Sequence, residues 1–188
     1  MSSPFVEVIT EDALRARVAE LGREISDGLP TPDPVVIGVL KGSVPFLTDL
    51  TRHLPLTVEV DFLNLTRFGR QGRVSVAMDL SVPLEGRSVL IVEDIVDTGL
   101  TLSTMRKMLA ARGAANIATV ALIDKARRRI VDVPLEYRGF EVGDEFLLGY
   151  GMDWMGRYRN LRSIWAVLDL QLLKDNPDAF AGVAFSSP

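Results

Sequence analysis

The stretch VLIVEDIVDTGLTL, residues 89–102, places carboxylates and hydroxyls directly after an apolar run. Glu93 and Asp94 follow that run, and Asp97 and Thr98 come shortly after them. The amides and hydroxyls of a tight turn can hold a phosphate, while two adjacent carboxylates can accept hydrogen bonds from a vicinal diol. A ribose 5-phosphate carries both groups, so the stretch predicts a site for such a ligand. An acidic turn whose Asp97 or Thr98 only caps a helix is the simpler alternative.

The elements that must position this stretch alternate between strand and helix. Short β-branched apolar runs predict buried strands, and alternating residues predict a strand with one more polar face. These strands are expected at 35–40, 56–65, 89–94, 116–124 and 163–170. Helical spacing and end signals predict helices after Thr10, after Ser43 as a cap, and over 100–112 before Gly113. The pattern predicts an α/β fold, with a mostly parallel twisted sheet flanked by helices and a loose tail from Asp175.

The predicted sheet fixes where a ligand should bind. In an open parallel sheet, ligands lie beyond the carboxyl ends of the strands, where helix N-termini offer unpaired amides. Glu93 and Asp94 stand at such an end, and the turn at 97–101 leads directly into a helix. Gly99 lets the backbone approach a ligand closely. We therefore expect the phosphate at the turn and the ribose beside the carboxylates.

Composition limits the classes of protein that fit. The chain has 188 residues, 47% of them hydrophobic, which predicts one domain with an ample core. It has no cysteine, and its formal net charge of -4 argues against general binding to nucleic acid while leaving small anionic ligands possible. The first residues show neither a basic start nor an apolar segment, and no apolar run approaches the length of a membrane span. A cytoplasmic protein without a membrane or nucleic-acid partner is expected.

Five ordered segments resemble the type I phosphoribosyltransferases. The stretch at 89–102 is close to the form found in hypoxanthine-guanine members of that family. The segments are VLKGS at 39–43, VLIVEDIVDTGLTL at 89–102, LIDKARRR at 122–129, GFEVGDEFLLGYGMDW at 139–154 and RYRNL at 157–161. Together they span roughly 35–168, most of the chain. The resemblance implies the type I phosphoribosyltransferase fold in one domain over 1–188, with a core at about 35–170. The N-terminal helix and C-terminal segments would contribute to a small hood.

The resemblance also implies an enzyme of purine salvage. Such enzymes transfer the phosphoribosyl group of 5-phosphoribosyl-1-pyrophosphate to hypoxanthine or guanine, giving IMP or GMP and pyrophosphate, and require Mg²⁺. Asp97 matches the proposed acid/base near purine N7, while Glu93 and Asp94 match residues that bind the ribose hydroxyls directly or through a metal ion. The 5-phosphate would be held by Asp97, Thr98, Gly99, Leu100 and Thr101.

Other matched residues surround the pyrophosphate and the metal ion. Lys41, Gly42 and Arg159 match pyrophosphate-binding residues, and the family often has a cis peptide between the residues that match Leu40 and Lys41. A guanidinium suits a diphosphate because its planar fork can bind two oxygens. The metal ligands that the resemblance implies are Glu93, Asp94 and Asp153.

The purine site is matched by Lys125, Phe146, Leu147 and Asp153. The lysine would read the oxygen at purine C6, Phe146 would stack on the ring, and the backbone of Leu147 would pair with the base edge. Adenine should be rejected, because a buried donor without an acceptor carries a penalty. Ala126 stands where the family usually has proline.

Three interpretations concern places outside this matched set. The arginines at 127–129 are interpreted as a solvated run, and Trp154 as structural. Between 66 and 75, where the family has a longer mobile loop with a Ser-Tyr pair, this chain has TRFGRQGRVS. We hypothesise a shorter lid assisted by arginines; a simple hairpin turn is the alternative.

Other functions stay open at this point. A transferase for another base such as xanthine, an RNA-binding regulator of the same fold and a non-catalytic nucleotide-binding module are the alternatives. The acidic balance speaks against the regulator, whereas Lys41, Asp97 and Arg159 favour turnover. The family also implies a homo-oligomer, either a dimer or a tetramer.

Overall fold

Two sheets, of six and three strands, form the framework of the computed structural model, which describes residues 3–31, 33–68 and 73–185. The elements are β1 (Phe5–Ile9), α1 (Glu11–Gly28), β2 (Val35–Val39), α2 (Val44–Arg52), β3 (Glu59–Phe68), β4 (Arg73–Met78), β5 (Ser88–Val96), α3 (Leu100–Ala111), β6 (Asn116–Asp124), β7 (Tyr137–Glu141), β8 (Phe146–Leu148), β9 (Ile164–Val167), α4 (Leu170–Asp175) and α5 (Ala181–Ala184). Within these residues no helix combines the length and the apolar character needed to cross a membrane.

The large sheet has the order β4-β3-β2-β5-β6-β7 and is parallel except for β4. From β2 the chain first moves outward to β3, and it later returns to place β5 on the other side of β2. The strand order therefore reverses between β2 and β5. A reversal of this kind opens a crevice at the carboxyl ends of the two strands. The predicted mostly parallel sheet is confirmed.

Helices cover both faces of the large sheet, and this layering sets the direction of the candidate carboxylates. Along β5, Ile91 packs in the apolar cluster that contains α3, and Val92 packs in the cluster that contains α1 and α2. Successive side chains of a strand point to opposite faces. Glu93 therefore faces the α3 side, and Asp94 faces the opposite side.

The predicted helix after Thr10 is confirmed, and its beginning follows ordinary capping chemistry. The Thr10 hydroxyl accepts a hydrogen bond from the amide of Ala13 at 3.2 Å, which satisfies one of the free donors of the first turn. Residues at helical spacing form the buried side of α1, namely Leu14, Val18, Leu21, Gly22 and Ile25. This apolar stripe attaches α1 to the sheet layer.

Ser43 precedes α2 as predicted, but its side chain does not cap the helix. Its backbone has φ -71° and ψ -11°, which is helical rather than the extended conformation of a capping residue. The Ser43 hydroxyl instead donates to the carbonyl of Val39 at 2.7 Å. The Ser43 side chain thus stabilises the turn between β2 and α2 through this hydrogen bond.

The small sheet joins both ends of the chain. Its order is β1-β9-β8, and both pairings are antiparallel. No strand was predicted at β1, β4, β7 or β8, and the strand predicted at 163–170 ends at Val167. A hood built by terminal segments is present as this sheet, and α1 packs on α2 and β7. The contribution of α1 to the hood stays a prediction.

The prediction of a loose tail from Asp175 is wrong. Phe180 is fully buried, and its ring centroid lies 4.6 Å from Phe5, 5.2 Å from Tyr158 and 5.4 Å from Trp165. Among the described residues 175–185 only Phe180 is buried, and it fills the core of the hood. The composition of the segment from Asp175 does not show that one of its residues is buried in a core.

The predicted lid lies partly outside the described residues. β3 and β4 pair as antiparallel strands as far as Phe68 and Arg73, an arrangement that fits the hairpin alternative. Residues 69–72 and the side chains at 67, 68, 73 and 74 lie outside the description. The lid hypothesis therefore stays a prediction.

The aromatic cluster of the hood can be tested by mutation. Phe180→Ala should lower the free energy of unfolding by about 3–5 kcal/mol, the usual cost of removing a fully buried ring. Phe185→Ala is the matched control, because Phe185 is 53% exposed. Denaturant titration of both variants gives the comparison. Equally small losses in the two variants would contradict the packing of the tail.

Candidate active site

Two adjoining cavities open at the carboxyl end of β5, and one of them also reaches Lys125 at the end of β6. The first has a volume of about 450 Å³ and is lined by Asp94, Ile95, Asp97, Lys125, Arg128, Asp144, Phe146, Leu147, Met152, Asp153 and Leu170. The second has a volume of about 210 Å³ and is lined by Glu93, Ile95, Val96, Asp97, Thr98, Gly99, Thr101 and Leu102. Ile95 and Asp97 line both cavities, so the two are parts of one crevice.

The second cavity lies at the N-terminus of α3, where the phosphate turn (residues 97–101) ends β5 and begins the helix. Gly99 has φ +80°, and a Cβ at this position would lie 2.9 Å from Arg129 Cδ and 3.1 Å from the carbonyl of Val131. Only glycine fits this combination of backbone angle and close contact. Helix N-termini attract anions through their free amides and their dipole. The cavity can therefore hold a phosphate.

Glu93 lies in the second cavity and is 6% exposed. Burial, together with the charge of Asp94, raises the pKa of the Glu93 carboxyl well above its ordinary range. The structure brings Glu93 together with Thr98, Gly99 and Thr101, as the predicted ribose-phosphate set requires. Leu100, also in that set, is the first residue of α3, and its side chain is 41% exposed.

The loop after β2 is packed so closely that two of its contacts require glycine. The peptide between Leu40 and Lys41 is cis, as the resemblance implied. A Cβ on Gly42 would lie 1.7 Å from Asp94 Oδ2, and a Cβ on Gly151 would lie 1.9 Å from the carbonyl oxygen of Gly42. Gly42 is therefore enclosed between a strand-end carboxylate and a second loop, while Lys41 is exposed.

Arg159 connects this second loop to the carboxylates of the first cavity. Its guanidinium donates to the carbonyl of Gly151 at 2.5 Å and lies 2.7 Å from Asp153 Oδ1. Its charge also favours the ionised form of Asp94. The structure thus brings together Gly42, Asp94, Asp153 and Arg159, which the sequence analysis had assigned to pyrophosphate, ribose and metal.

The predicted purine-binding residues also meet in the first cavity. Lys125 is 6% exposed, and its Nζ donates to the carbonyl of Glu145 at 2.5 Å. Burial lowers the pKa of the Lys125 ammonium. Phe146 and Leu147 line the cavity from β8, and the Phe146 ring stands perpendicular to Trp154 with 5.5 Å between centroids. A half-buried aromatic face beside a buried donor suits a flat heterocycle with an exocyclic oxygen.

The interpretation of 127–129 as a solvated run is wrong for Arg129, whose side chain is 18% exposed, while Arg128 is exposed but forms an ion pair. Arg128 Nε lies 2.7 Å from Asp97 Oδ1, an ion pair whose geometry falls short of a hydrogen bond. Arg129 donates to the carbonyl of Asp97 at 2.9 Å and pairs with Asp124. Arg127 is exposed. The run of arginines in the sequence does not indicate which of them pairs with an aspartate, because the bend of the chain after β6 decides which side chain reaches Asp97 or Asp124.

Four more residues that line the first cavity were not found from the sequence, namely Ile95, Asp144, Met152 and Leu170. Leu170 begins α4, in a segment that had been interpreted as a strand, so no pattern placed it near a ligand. Asp144 lies two residues before β8, within the matched segment 139–154, and this position could have indicated a cavity-lining residue.

The three predicted metal ligands are not assembled as a cage. Among residues 3–31, 33–68 and 73–185 no group of three or more His, Cys, Asp or Glu side chains is close enough to hold a metal ion. Asp94 and Asp153 line the first cavity, and Glu93 lines the second. A metal ion bound here would need oxygens from a ligand or from water to complete its coordination.

Asp94 gives the site a pH-dependent cost of folding. Burial raises the pKa of the Asp94 carboxyl to about 6 from 3.8, although backbone amides and Arg159 oppose this effect. Because the folded pKa lies above the unfolded one, the contribution to stability is complete below pH 3.8 and is lost as the pH rises through about 6.

We therefore expect Asp94→Asn to raise the free energy of unfolding at pH 8 by about 1–3 kcal/mol, since one pKa unit corresponds to about 1.4 kcal/mol. At pH 4 the variant and the original chain should be nearly equal. Denaturant titration at both pH values measures the difference. Asp144→Asn is the control, because Asp144 is an exposed carboxylate of the same cavity. A loss of stability in Asp94→Asn at pH 8 would contradict the prediction.

Comparisons with known proteins agree with this geometry. A family model described as phosphoribosyl transferase domain matches residues 7–154. The hypoxanthine phosphoribosyltransferase of Escherichia coli (strain K12) is 42% identical over 170 residues, which cover 87% of this chain and 96% of that protein. The bifunctional protein TilS/HprT of Listeria monocytogenes is 41% identical over 158 residues, which cover 82% of this chain but only 24% of that protein.

A solved structure gives the same result. The crystal structure of a hypoxanthine-guanine phosphoribosyltransferase (hpt-2) from Bacillus anthracis superimposes with a TM-score of 0.84 and 38% identity, over 86% of this chain and 98% of that one. The family model and the similarity to the E. coli enzyme both cover most of the chain. The chain therefore belongs to the phosphoribosyl transferase domain family.

Proposed function

We propose that the protein transfers the 5-phosphoribosyl group of 5-phosphoribosyl-1-pyrophosphate to hypoxanthine or guanine, giving IMP or GMP and pyrophosphate. The observation that carries this proposal is the pair of adjoining cavities that share Asp97. One has the helix N-terminus that suits a 5-phosphate, and the other has the buried Lys125 and the Phe146 face that suit a 6-oxopurine. The names of the relatives support the same reaction.

In the proposed reaction the bond between ribose C1 and the pyrophosphate oxygen breaks, and purine N9 forms a bond to C1. The electron pair of the broken bond leaves with pyrophosphate, and the proton released by the base passes to a carboxylate. Asp97 has the position for this role, because it lies between the two cavities. Glu93 and Asp94 would bind the ribose hydroxyls from the two sides of β5. The carboxylates would also stabilise positive charge that develops on the sugar.

The pyrophosphate would lie over Gly42, with Lys41 and Arg159 as its cationic contacts. Arg159 already bridges Gly151 and Asp153, so its guanidinium is fixed at the rim of the first cavity. Gly42 itself is buried, whereas the neighbouring Lys41 is exposed and its ammonium can reach a ligand. A planar guanidinium and an ammonium are both suited to diphosphate oxygens.

Mg²⁺ fits this donor set. The first cavity is lined by four carboxylates, Asp94, Asp97, Asp144 and Asp153, but only two cationic residues, Lys125 and Arg128. A polyanionic donor would be repelled there unless a cation neutralised it. Mg²⁺ usually takes one or two carboxylates and completes its octahedron with substrate phosphates and water. Asp94 and Asp153 would supply those carboxylates, and the ion would neutralise charge on the leaving pyrophosphate.

The choice of base depends on Lys125 and its neighbours. In the ligand-free protein its ammonium donates to the carbonyl of Glu145, so a purine O6 would add a second acceptor. An amino group at C6 would bring two donors together and leave an N–H of the lysine without an acceptor. Adenine is therefore excluded by the proposal, whereas xanthine, which also carries O6, is its nearest alternative. Assembly into a homo-oligomer stays a prediction from the family.

A steady-state assay with hypoxanthine, guanine, xanthine, adenine and uracil tests the proposal directly. Each base is supplied with 5-phosphoribosyl-1-pyrophosphate, with and without Mg²⁺. We expect turnover with hypoxanthine or guanine, none with adenine or uracil, and loss of turnover without the cation. Xanthine as the preferred base would correct the specificity. No turnover with any base would refute the reaction itself.

Lys125→Ala tests the reading of O6. The specificity constant for hypoxanthine and guanine should fall by an amount equivalent to about 1–3 kcal/mol, the cost of one buried charged hydrogen bond. Lys107→Ala, at an exposed position of α3, is the control for the loss of a lysine charge. Unchanged specificity constants in Lys125→Ala would remove this residue from the base site.

A further inference from the structure

We infer that Arg129 is a positioning residue, which holds the phosphate turn in its anion-binding form. The inference rests on the proposed function, because it concerns the 5-phosphate part of the donor. Arg129 lines neither of the two cavities, so its action on a ligand would pass through the backbone of the turn.

Two successive carbonyls of the phosphate turn are fixed by the segment 129–131. The Arg129 guanidinium donates to the carbonyl of Asp97 at 2.9 Å. The backbone amides of Ile130 and Val131 both donate to the carbonyl of Thr98, at 3.0 Å and 3.3 Å. The first two peptide planes of the turn therefore have a defined orientation.

The hydrogen bonds to these two carbonyls also determine where the amides of Thr98 and Gly99 point. In a trans peptide the carbonyl of one residue and the N–H of the next point in opposite directions. When the carbonyls of Asp97 and Thr98 point toward 129–131, the amides of Thr98 and Gly99 point away from that segment. Both residues line the second cavity. Arg129 thereby orients the Thr98 amide, and the backbone of Ile130 and Val131 orients the Gly99 amide, so that both can meet an anion.

Arg129 is itself held by charges that belong to the sheet. Asp124, the last residue of β6, is 1% exposed and pairs with both Arg129 and Arg138. Arg138 is on β7, and its Nε lies 2.8 Å from Asp124 Oδ2. The Asp124 carboxylate is thus fixed between two strands. Because Arg129 contacts both this carboxylate and the Asp97 carbonyl, it attaches the phosphate turn to the sheet.

The contact needs the shape of a guanidinium as well as its charge. One terminal nitrogen of Arg129 donates to the Asp97 carbonyl while the other donates to Asp124. A planar fork makes both hydrogen bonds at once, whereas a lysine presents a single ammonium on a flexible chain. Arg129→Lys should therefore keep the buried charge balanced but lose control of the turn.

The experiment compares Arg129→Lys and Arg129→Gln with the original chain. Calorimetry measures the Kd of ribose 5-phosphate, and steady-state kinetics measure the KM of the donor, the KM of hypoxanthine and kcat. We expect the Kd of ribose 5-phosphate and the KM of the donor to rise about tenfold or more in both variants, as a lost charge-assisted contact implies. The KM of hypoxanthine should change by less than about threefold, because the base lies in the other cavity.

Arg127→Ala is the matched control, because it removes an exposed arginine of the same run and should leave every constant unchanged. A purely structural ion pair would predict recovery of ribose 5-phosphate binding in Arg129→Lys, and that result would overturn the inference. So would equal losses for donor and base. If Arg129→Gln fails to fold, the lysine variant alone decides between these outcomes.

Failure of the proposed function gives a different pattern of results. Absence of turnover in the original chain with every purine would refute the transfer reaction. The Kd of ribose 5-phosphate would still measure the effect of Arg129 on the phosphate turn, since calorimetry needs no turnover.

Discussion

The parallel pairing of β2 with β5 is the constraint on which the site depends. Their register places Gly38 beside Val92, so the chain that leaves β2 must pass over the last residues of β5. Gly42 then lies against the Asp94 carboxylate, and Gly151 lies against Gly42. Three chain segments meet here with no space for a Cβ. These close backbone contacts fix the position of the Asp94 carboxylate, which lines the first cavity.

The carboxylates of the chain fall into two groups that differ in what neutralises them. Burial raises the pKa of Asp61, but hydrogen bonds outweigh it and lower the pKa; their donors are Phe62, Ser81 and Val82. Asp124 is paired with two arginines. Glu93 and Asp94 differ from these, because burial raises the pKa of both, and at Asp94 the opposing backbone amides and the Arg159 charge do not outweigh it. Titratable groups left in this state concentrate at functional sites, because a ligand supplies the missing partner.

The sequence allowed prediction of the elements whose signals are local. β6 spans 116–124 as predicted, and the turn into α3 follows from the glycine and the apolar run around it. β1 and Phe180 escaped prediction because their partners lie at the other end of the chain, where no local period reveals them. Arg129 escaped for another reason. Its neighbours in sequence are also arginines, and only the bend after β6 decides which of them meets Asp124.

Base recognition and phosphate binding share one short segment of the chain, 124–131. Lys125, at its start, faces the first cavity, and Arg129, near its end, fixes the phosphate turn. The amide of Lys125 also donates to the carbonyl of Val96 on β5, at 2.9 Å, so the segment is attached to the strand that carries the carboxylates. A substitution that shifts this segment to admit another base would move both subsites. Phe146 lines the same cavity from β8, in the hood, and its side chain lies outside the segment 124–131; the acceptor that holds Lys125 is the backbone carbonyl of Glu145, not the Phe146 side chain. New base specificity should therefore be reached more readily through the hood than through the lysine segment.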